Sequence, residues 1–477
     1  MKRLQYIFIV VLMLGALAWS QTPDPSQQEK ADPSQQEKAD PLQQEKADPS
    51  QQEPATNIVD HPEDRMQTPP PVTGATFPAA FAAEERSNLL EYGVAFSTAY
   101  SDNVLAGLEG HPVSDISYSI APTIAIDATT PRLRWIGSYA PGFTFYQRTS
   151  NLNESDHNIA LDFEYRLSPH VTISARDGFV KSSNVLNQPD FGGGTVSGGT
   201  AVPNFSVIPP VADRLSNSGN VDLTYQFALN GMIGASGIFT NLHYPDPSQV
   251  PGLYDSSTQA GSAFYSLRLS RMHYIGVTYQ YQKLRSYPAE GVNETQTHAP
   301  LFFYTVYPTP HSSISVFGGP QYSDTVQPVV PPSNMAPETR TWTPAAGGSL
   351  GWQGRLTSFA VSYSHMVAGG GGLVGAVHMD NASSSLRRRI AKTLNGSLNA
   401  SYAQNKVIGD FLGGANDGHS VSGTAEIEKL FGANLKLRLG YTRLHQTYTG
   451  VTAIAVNPDT NREFISISYN FSRPLGR

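Results

Sequence analysis

The chain has 477 residues, 15% of them charged and 10% aromatic, with 42 glycines, no cysteine and a formal net charge of −7. Without a thiol there is no disulfide scaffold, thiolate metal site, cysteine nucleophile or lipidated N-terminal cysteine, and the mild acidity leaves no electrostatic footprint for nucleic acid. So little charge in so long a chain is unusual for a soluble protein.

The first twenty residues have the layout of a secretory signal. Lys2 and Arg3 form the basic start, Ile7 to Ala18 the apolar run, and Ala18-Trp19-Ser20 a small-x-small cleavage site before Gln21. The run is shorter than the roughly 20 apolar residues a spanning helix needs, so residues 1–20 are expected to be removed. Next comes an octapeptide, Asp24-Pro25-Ser26-Gln27-Gln28-Glu29-Lys30-Ala31, which recurs from Asp32, from Asp40 with Leu42 in place of serine, and from Asp48. Each copy carries a proline and almost nothing apolar, so it cannot offset its chain entropy by burial. Residues 21–85 are therefore expected to form a disordered periplasmic arm, either a spacer or a tether.

Residues 86–477 have a different texture. Apolar side chains recur at every second position, as in a strand with one apolar face. Tyr92, Val94, Phe96 and Tyr100 open the series. Ile116 to Ile126, Leu133 to Phe145, Ile159 to Leu167 and Val221 to Leu229 continue it, and Ile465, Ile467, Tyr469 and Phe471 close it. The opposite parity is small or polar, for example Asn395, Ser397, Asn399 and Ser401. About eighteen such segments can be counted. Their connections alternate short and long: Leu167–His170, Asn230-Gly231, Pro308–Pro310 and Gln353–Arg355 against Ser182–Ser218, Asn241–Ser257, Ser323–Thr341, Ala403–Gly418 and Leu444–Arg462.

A soluble sandwich also alternates in hydropathy, but it has no reason to alternate its loop lengths. A transmembrane β-barrel does, with short periplasmic turns, long external loops and an even strand number. The expected fold is thus all-β, a closed antiparallel transmembrane β-barrel of about eighteen strands. Its apolar parity meets lipid and its polar parity lines the lumen, where Arg134, Asp162, Glu164, Arg176, Asp222, Arg268, Glu426, Lys436 and Arg438 all fall. Asp177 and Lys181 fall on the apolar parity, which requires a bulge or a position near the outer interface. Arg387, Arg388 and Arg389 are assigned to a short turn, and Gly369–Gly372 to a flexible external loop. The acidic long loops suit divalent cations bridging lipopolysaccharide.

No enzyme motif emerges. The twelve histidines are scattered rather than clustered as metal ligands are. Ser364 and His365 are neighbours on a strand and so point to opposite faces. No catalytic residue, cofactor or metal site is expected. The leading functional expectation is a porin-like channel for small solutes, with a loop from Ser182 to Ser218 long enough to turn inward and constrict it. The alternative is a non-catalytic barrel serving polysaccharide export, adhesion or envelope scaffolding through its loops. Oligomeric state is left open.

Three stretches carry a resemblance: Tyr100-Ser101-Asp102-Asn103-Val104, Tyr165-Arg166-Leu167-Ser168-Pro169 and the closing Ile465-Ser466-Ile467-Ser468-Tyr469-Asn470-Phe471. On these residues 90–471 resemble the outer-membrane β-barrel porin families of Gram-negative bacteria, some of them associated with exopolysaccharide systems. The resemblance implies an outer-membrane location more firmly than an activity. The chain departs from the usual terminal aromatic, because Ser472 to Arg477 follow Phe471.

Overall fold

The computed structural model describes residues 65–69, 88–105, 111–184, 186, 211–329, 336–409, 417–449 and 459–475. The signal segment and the octapeptide repeats lie outside them. The strands are β1 (Leu89–Ser101), β2 (Asp115–Thr129), β3 (Leu133–Tyr146), β4 (Glu154–Arg166), β5 (Val171–Asn184) and β6 (Val211–Ala228). Then come β7 (Gly231–His243), β8 (Asp255–Arg268), β9 (His273–Tyr287), β10 (Asn293–Thr309), β11 (Ser312–Val326) and β12 (Glu338–Gln353). The last six are β13 (Thr357–Gly369), β14 (Ala376–Ala391), β15 (Leu394–Val407), β16 (Gly418–Phe431), β17 (Leu435–Tyr448) and β18 (Asp459–Pro474).

Each strand pairs antiparallel with its neighbours in the chain. β1 then pairs with β18 from Leu89↔Pro474 to Ser101↔Arg462, so the eighteen-stranded sheet closes on itself. A closed wall of this kind satisfies backbone polar groups without water, as a hydrocarbon environment demands. Both ends of the wall, Leu89 and Pro474, lie on the rim of the short turns.

The apolar parity points outward. Tyr92, Phe96, Val221, Leu223, Ile275, Val277, Leu350 and Ile467 are all exposed, and Phe302 and Trp342 reach 68% and 70%. So much contiguous apolar surface is what a lipid-facing wall presents and a water-facing one does not. The other parity faces the interior and is stitched by hydroxyl pairs across adjacent strands: Ser97–Ser119 at 2.5 Å, Ser236–Ser262 at 2.7 Å, Thr305–Ser315 at 2.8 Å and Ser401–Ser422 at 2.6 Å.

Several strands run further outward than their hydropathy suggests. β6 begins at Val211, inside the stretch expected to be external loop up to Ser218. Above the membrane the wall continues in water, so its outer residues need no apolar parity. At the opposite, short-turn rim Arg387 to Arg389 belong to β14 rather than to a turn. Of the two arrangements expected for Asp177 and Lys181, a bulge or an outer position, the register is unbroken at Asp177, Leu161↔Asp177 and Asp177↔Gly219, and shifts just beyond Lys181, between Ser182 and Asn184. Asp177 stays on the outward parity, where Asn217 Nδ2 donates to its carboxylate at 3.3 Å, and Lys181 Nζ donates to Ser155 Oγ at 3.3 Å.

Five prolines occupy outward positions within strands. Pro122 and Pro141 interrupt the β2–β3 ladder, whose partners skip from Ile120↔Phe143 to Ile124↔Tyr139. Pro300 and Pro320 do the same between His298↔Tyr322 and Phe302↔Gly318, and Pro320 faces Pro344 across β11–β12. Proline cannot donate to a ladder, so these sites are locally thin in hydrogen bonds. Glycine is obligatory at 319, where a Cβ would stand 2.0 Å from Pro300 O.

Candidate functional site

The interior is chemically two-sided. On β3 to β6 the inward positions form charged rungs. Arg134 stands opposite Glu164, which stands opposite Ser174 and, one strand on, Asp222. One rung outward, Asp162 faces Arg176, with Nε to Oδ2 at 3.3 Å. Arg166 Nε reaches Glu164 Oε1 at 3.1 Å, and Ser174 Oγ donates to Asp222 Oδ2 at 3.3 Å. A second ladder crosses β14 to β17. Arg387, Ser397 and Glu426 share one rung, and Arg389, Asn395, Glu428 and Arg438 the next. Ser397 Oγ donates to Glu426 at 3.3 Å, and Asn395 Nδ2 donates to Glu428 at 3.1 Å. Lys436 stands one rung nearer the short-turn rim, opposite Leu430.

Of the nine charges picked out by parity, eight thus gather into two ladders of mixed sign. Arg268 stands apart on β8, opposite Tyr274. Arg387, Arg389 and Glu428 complete the second ladder. The arginines had been placed in a turn, which a longer strand pattern would have corrected.

The wall from β7 to β12 carries an apolar patch among the polar residues of its inner face. Met232, Phe264, Tyr274 and Phe303 form a buried cluster with Tyr307 and Phe317 packed against it. Ala299, Leu301 and Ala345 continue it one level up. Seated on this cluster is Met66, 9% exposed, from the short segment Arg65–Pro69. Its backbone N–H donates to the inward Gln226 Oε1 at 3.1 Å. A piece of the sequence expected to be extended arm therefore lies against the lumen wall near the short-turn rim.

At the opposite mouth two loops fold inward and meet. Residues 244–254, between β7 and β8, carry a 3₁₀ turn whose first N–H is capped by Asp246. They meet residues 370–375, between β13 and β14. Tyr244 Oη donates to Gly371 O at 2.7 Å, and Tyr254 N donates to Gly372 O at 2.9 Å. Gly371 and Gly372 take φ of 71° and 91°, and a Cβ on Gly372 would stand 2.5 Å from the Tyr244 ring. Around this crossing, Leu242, Val250, Leu253, Leu373, Val374, Val377, Met379 and Tyr448 form one buried cluster. β7 and β14 are seven strands apart along the shorter way round the closed wall, so this cluster spans the lumen. Burial holds the Tyr244 and Tyr254 phenols above their ordinary range, so both remain neutral donors.

The glycine run expected to be a flexible outer loop is thus part of this inward loop core. The constriction expected from Ser182–Ser218 falls mostly on residues outside the described ones. Leu186, which is described, accepts a hydrogen bond from Arg462 Nη1. Arg214 is buried and Arg462 half-buried, and both interact with Asp156; the sequence alone assigns none of the three to the interior. A surface depression of about 280 Å³ lies on the outward, lipid-facing side between Tyr265, Val277, Tyr279, Pro300 and Phe302. Its lining places it against acyl chains, not solutes. Among the described residues no cluster of three or more metal-ligating side chains occurs.

Fold and interior together define a transmembrane β-barrel of the outer-membrane type, with ionic ladders inside its wall and two loops that meet inside its outer mouth. No protein-family model matches the chain, and no curated protein matches it. Solved structures similar to it include the outer-membrane protein OpdK of Pseudomonas aeruginosa, with 9% identity over 80% of this chain and 99% of that one, at a TM-score of 0.38. Another is OccK2 (OpdF) of the same organism, with 8% identity over 81% and 98% at 0.40. OccAB4 of Acinetobacter baumannii gives 9% over 81% and 99% at 0.38. The reading of this chain rests on its own wall and interior.

Proposed function

We propose that the protein is an outer-membrane channel for small solutes, its N-terminal arm in the periplasm and its outer surface set in lipid and lipopolysaccharide. The observation that carries this is the division of the interior. An eighteen-stranded wall is wide enough that strand side chains alone do not fill it. Here the filling on the outer side comes from loops 244–254 and 370–375, which can move without breaking a rung of the wall. The mixed-sign ladders of Arg134, Asp162, Glu164, Arg176 and Asp222, and of Glu426, Lys436 and Arg438, hold water and ions along the path. Arg268 stands at the short-turn rim beside the seat of Met66. Their alternating sign favours a pathway without strong preference for anions or cations.

Single-channel recording in a planar bilayer, with sugar-driven swelling of proteoliposomes, tests this. Discrete conductance steps that grow when residues 370–375 are removed are expected. Folded protein that conducts neither ions nor sugars, with those residues present or removed, ends the channel reading.

A further inference from the structure

The outward face changes character above its apolar belt. On β17 the outward positions run from Leu439 and Tyr441 to Arg443, His445 and Thr447, and on β18 from Ile467 and Ile465 to Glu463, Asn461 and Asp459. On β16 they run from Ile427, Ala425, Gly423 and Val421 to His419, and on β15 from Leu398, Ala400 and Tyr402 to Gln404. The exposed tyrosines Tyr402 and Tyr441 stand at this boundary, as aromatic side chains do at a membrane interface. The polar residues just above them are therefore level with the headgroups of the outer leaflet. Register gathers four of them. His445 stands opposite Asp459 on β18, and two residues further out Thr447 stands opposite His419 on β16.

His445 Nδ1 lies 2.9 Å from Asp459 Oδ1, and its Nε2 lies 3.2 Å from Thr447 Oγ1. With Nδ1–H donating to the carboxylate, Nε2 keeps its lone pair and accepts the threonine O–H. Arg443 Nη2 donates to the same Asp459 oxygen at 3.3 Å and holds the carboxylate in place. A hydroxyl on a base that a carboxylate orients is the arrangement that activates a nucleophile. The other outward histidines lack it. His157, His243, His298 and His365 each meet one partner through Nδ1, respectively Tyr139, Asp255, Tyr279 and Asp380, and among the described residues no hydroxyl meets their Nε2. Thr447 is exposed and His445 half-buried, so a reactant reaches both from outside the wall. The His419 ring lies 5.6 Å from that of His445, centroid to centroid, and flanks Thr447 on the side away from Asp459.

A trough leads down from this group into the apolar belt. Its floor is Val421, Gly423 and Ala425, and a Cβ on Gly423 would meet nothing nearer than Asn399 O at 3.8 Å. Leu398 and Tyr402 flank it on β15, and Leu439 and Tyr441 on β17. Those strands are about 10 Å apart, which leaves room for one hydrocarbon chain. We propose that Thr447, His445 and Asp459 form a hydrolytic site for acyl esters of outer-leaflet lipids, one acyl chain lying in this trough. His445 Nε2 takes the Thr447 proton as Oγ1 bonds to the ester carbonyl carbon, and His419 donates to the oxyanion. The ester C–O bond then breaks, the leaving alcohol takes the proton from His445, and the acyl group stays on Thr447. Water, giving a proton to the same imidazole, attacks the acyl carbon; the fatty acid leaves and Thr447 regains its proton. Thr447 and His445 are the catalytic residues and Asp459 is a positioning residue. The site lies outside the wall and stands independently of the channel reading. It has no sequence motif, because Asp459 reaches His445 only through the β17–β18 pairing.

The test uses the full-length protein, with the heat-dependent gel mobility of a folded barrel checked for every variant. It is incubated separately with a tagged alkyl fluorophosphonate, with phosphatidylcholine vesicles and with lipopolysaccharide. A fluorophosphonate adduct on Thr447 is expected, together with fatty acid release from at least one of the two lipids, the lipid that yields it naming the source of the ester. Thr447→Ala and His445→Asn should lower release by about a hundredfold or more, and Thr447→Ser should retain it. Asp459→Asn should lower kcat and leave KM in place, a split that loss of folding does not produce. Release equal in Thr447→Ala and the unaltered protein overturns the proposal. So does folded protein that forms no adduct at Thr447 and frees no fatty acid from either lipid.

Discussion

Val250 is fully buried at the centre of the loop core that spans the outer mouth, so Val250→Asn is the sharpest test of whether that core is a closure. Removing a buried valine side chain from its neighbours costs about 1.5–3 kcal/mol. Leaving an amide there without partners adds about 1–3 kcal/mol. Nothing on the wall changes, because residue 250 belongs to no strand. The whole penalty, about 3–5 kcal/mol, therefore falls on the inward arrangement of the loops, shifting the balance between closed and open mouth by about two to four decades. Single-channel recording should show a rise in open probability with unitary conductance preserved. Leu373→Cys, buried in the same core, should become reactive to a membrane-impermeant maleimide in the Val250→Asn background. The reasoning is refuted if open probability and Leu373→Cys reactivity both stay at their starting values while the barrel's melting temperature falls, for then Val250 supports the wall and closes nothing.

Three further outcomes follow from the geometry. Met66→Ala should weaken the seat of Arg65–Pro69 by about 2–3 kcal/mol, so that limited proteolysis cuts at Arg65 faster while the barrel stays intact; an unchanged cutting rate would mean the segment is held by something other than Met66. Leu161→Arg, on the outward parity of β4, should cost about 2–4 kcal/mol in a lipid-refolding titration if it lies near the midplane, while Asp162→Asn on the lumen side should cost little; equal tolerance would reverse the assignment of faces. The Tyr244 and Tyr254 phenols are held above their ordinary value of 10.0. A group of this kind contributes below its unfolded pKa and loses that contribution as pH rises through its folded pKa. Conductance should thus be flat from about pH 8 to pH 10 and rise only above that; an increase within that window would show that the mouth is held by other groups.

The lipid-facing half of the molecule was legible because lipid imposes one rule on every outward position. Ile159, Leu161, Phe163 and Tyr165 obey it, and so the strand count, the closure and the inner placement of Asp162 and Glu164 could be read from spacing alone. The interior obeys no such single rule. Leu301-Phe302-Phe303-Tyr304 is apolar on both parities, and that continuous run was the available sign of an apolar inner patch; alternation alone hid it. The internal contacts were out of reach for a different reason. Tyr244 meets Gly371, 127 residues further along the chain, and Met66 meets Gln226 at a separation of 160. Whether a glycine-rich connection stands in solvent or folds into the mouth depends on those distant partners, not on its own composition.

This asymmetry locates the function. Outward side chains are answerable to the membrane, and the hydroxyl pairs inside are answerable to neighbouring strands, so neither set is free to encode a solute. What remains are the departures from both rules. The charged rungs of β3–β6 and β14–β17 exceed what the wall needs for cohesion, since unlike charges on adjacent strands in a wet lumen add little to stability. The cluster of Phe264, Tyr274 and Phe303 is buried inside the wall, and Met66 from the chain's own N-terminal part packs against it. A single inner face therefore carries two environments side by side, charged rungs suited to ions and water and a packed apolar patch, and the loops that meet in the outer mouth separate neither from the periplasmic side.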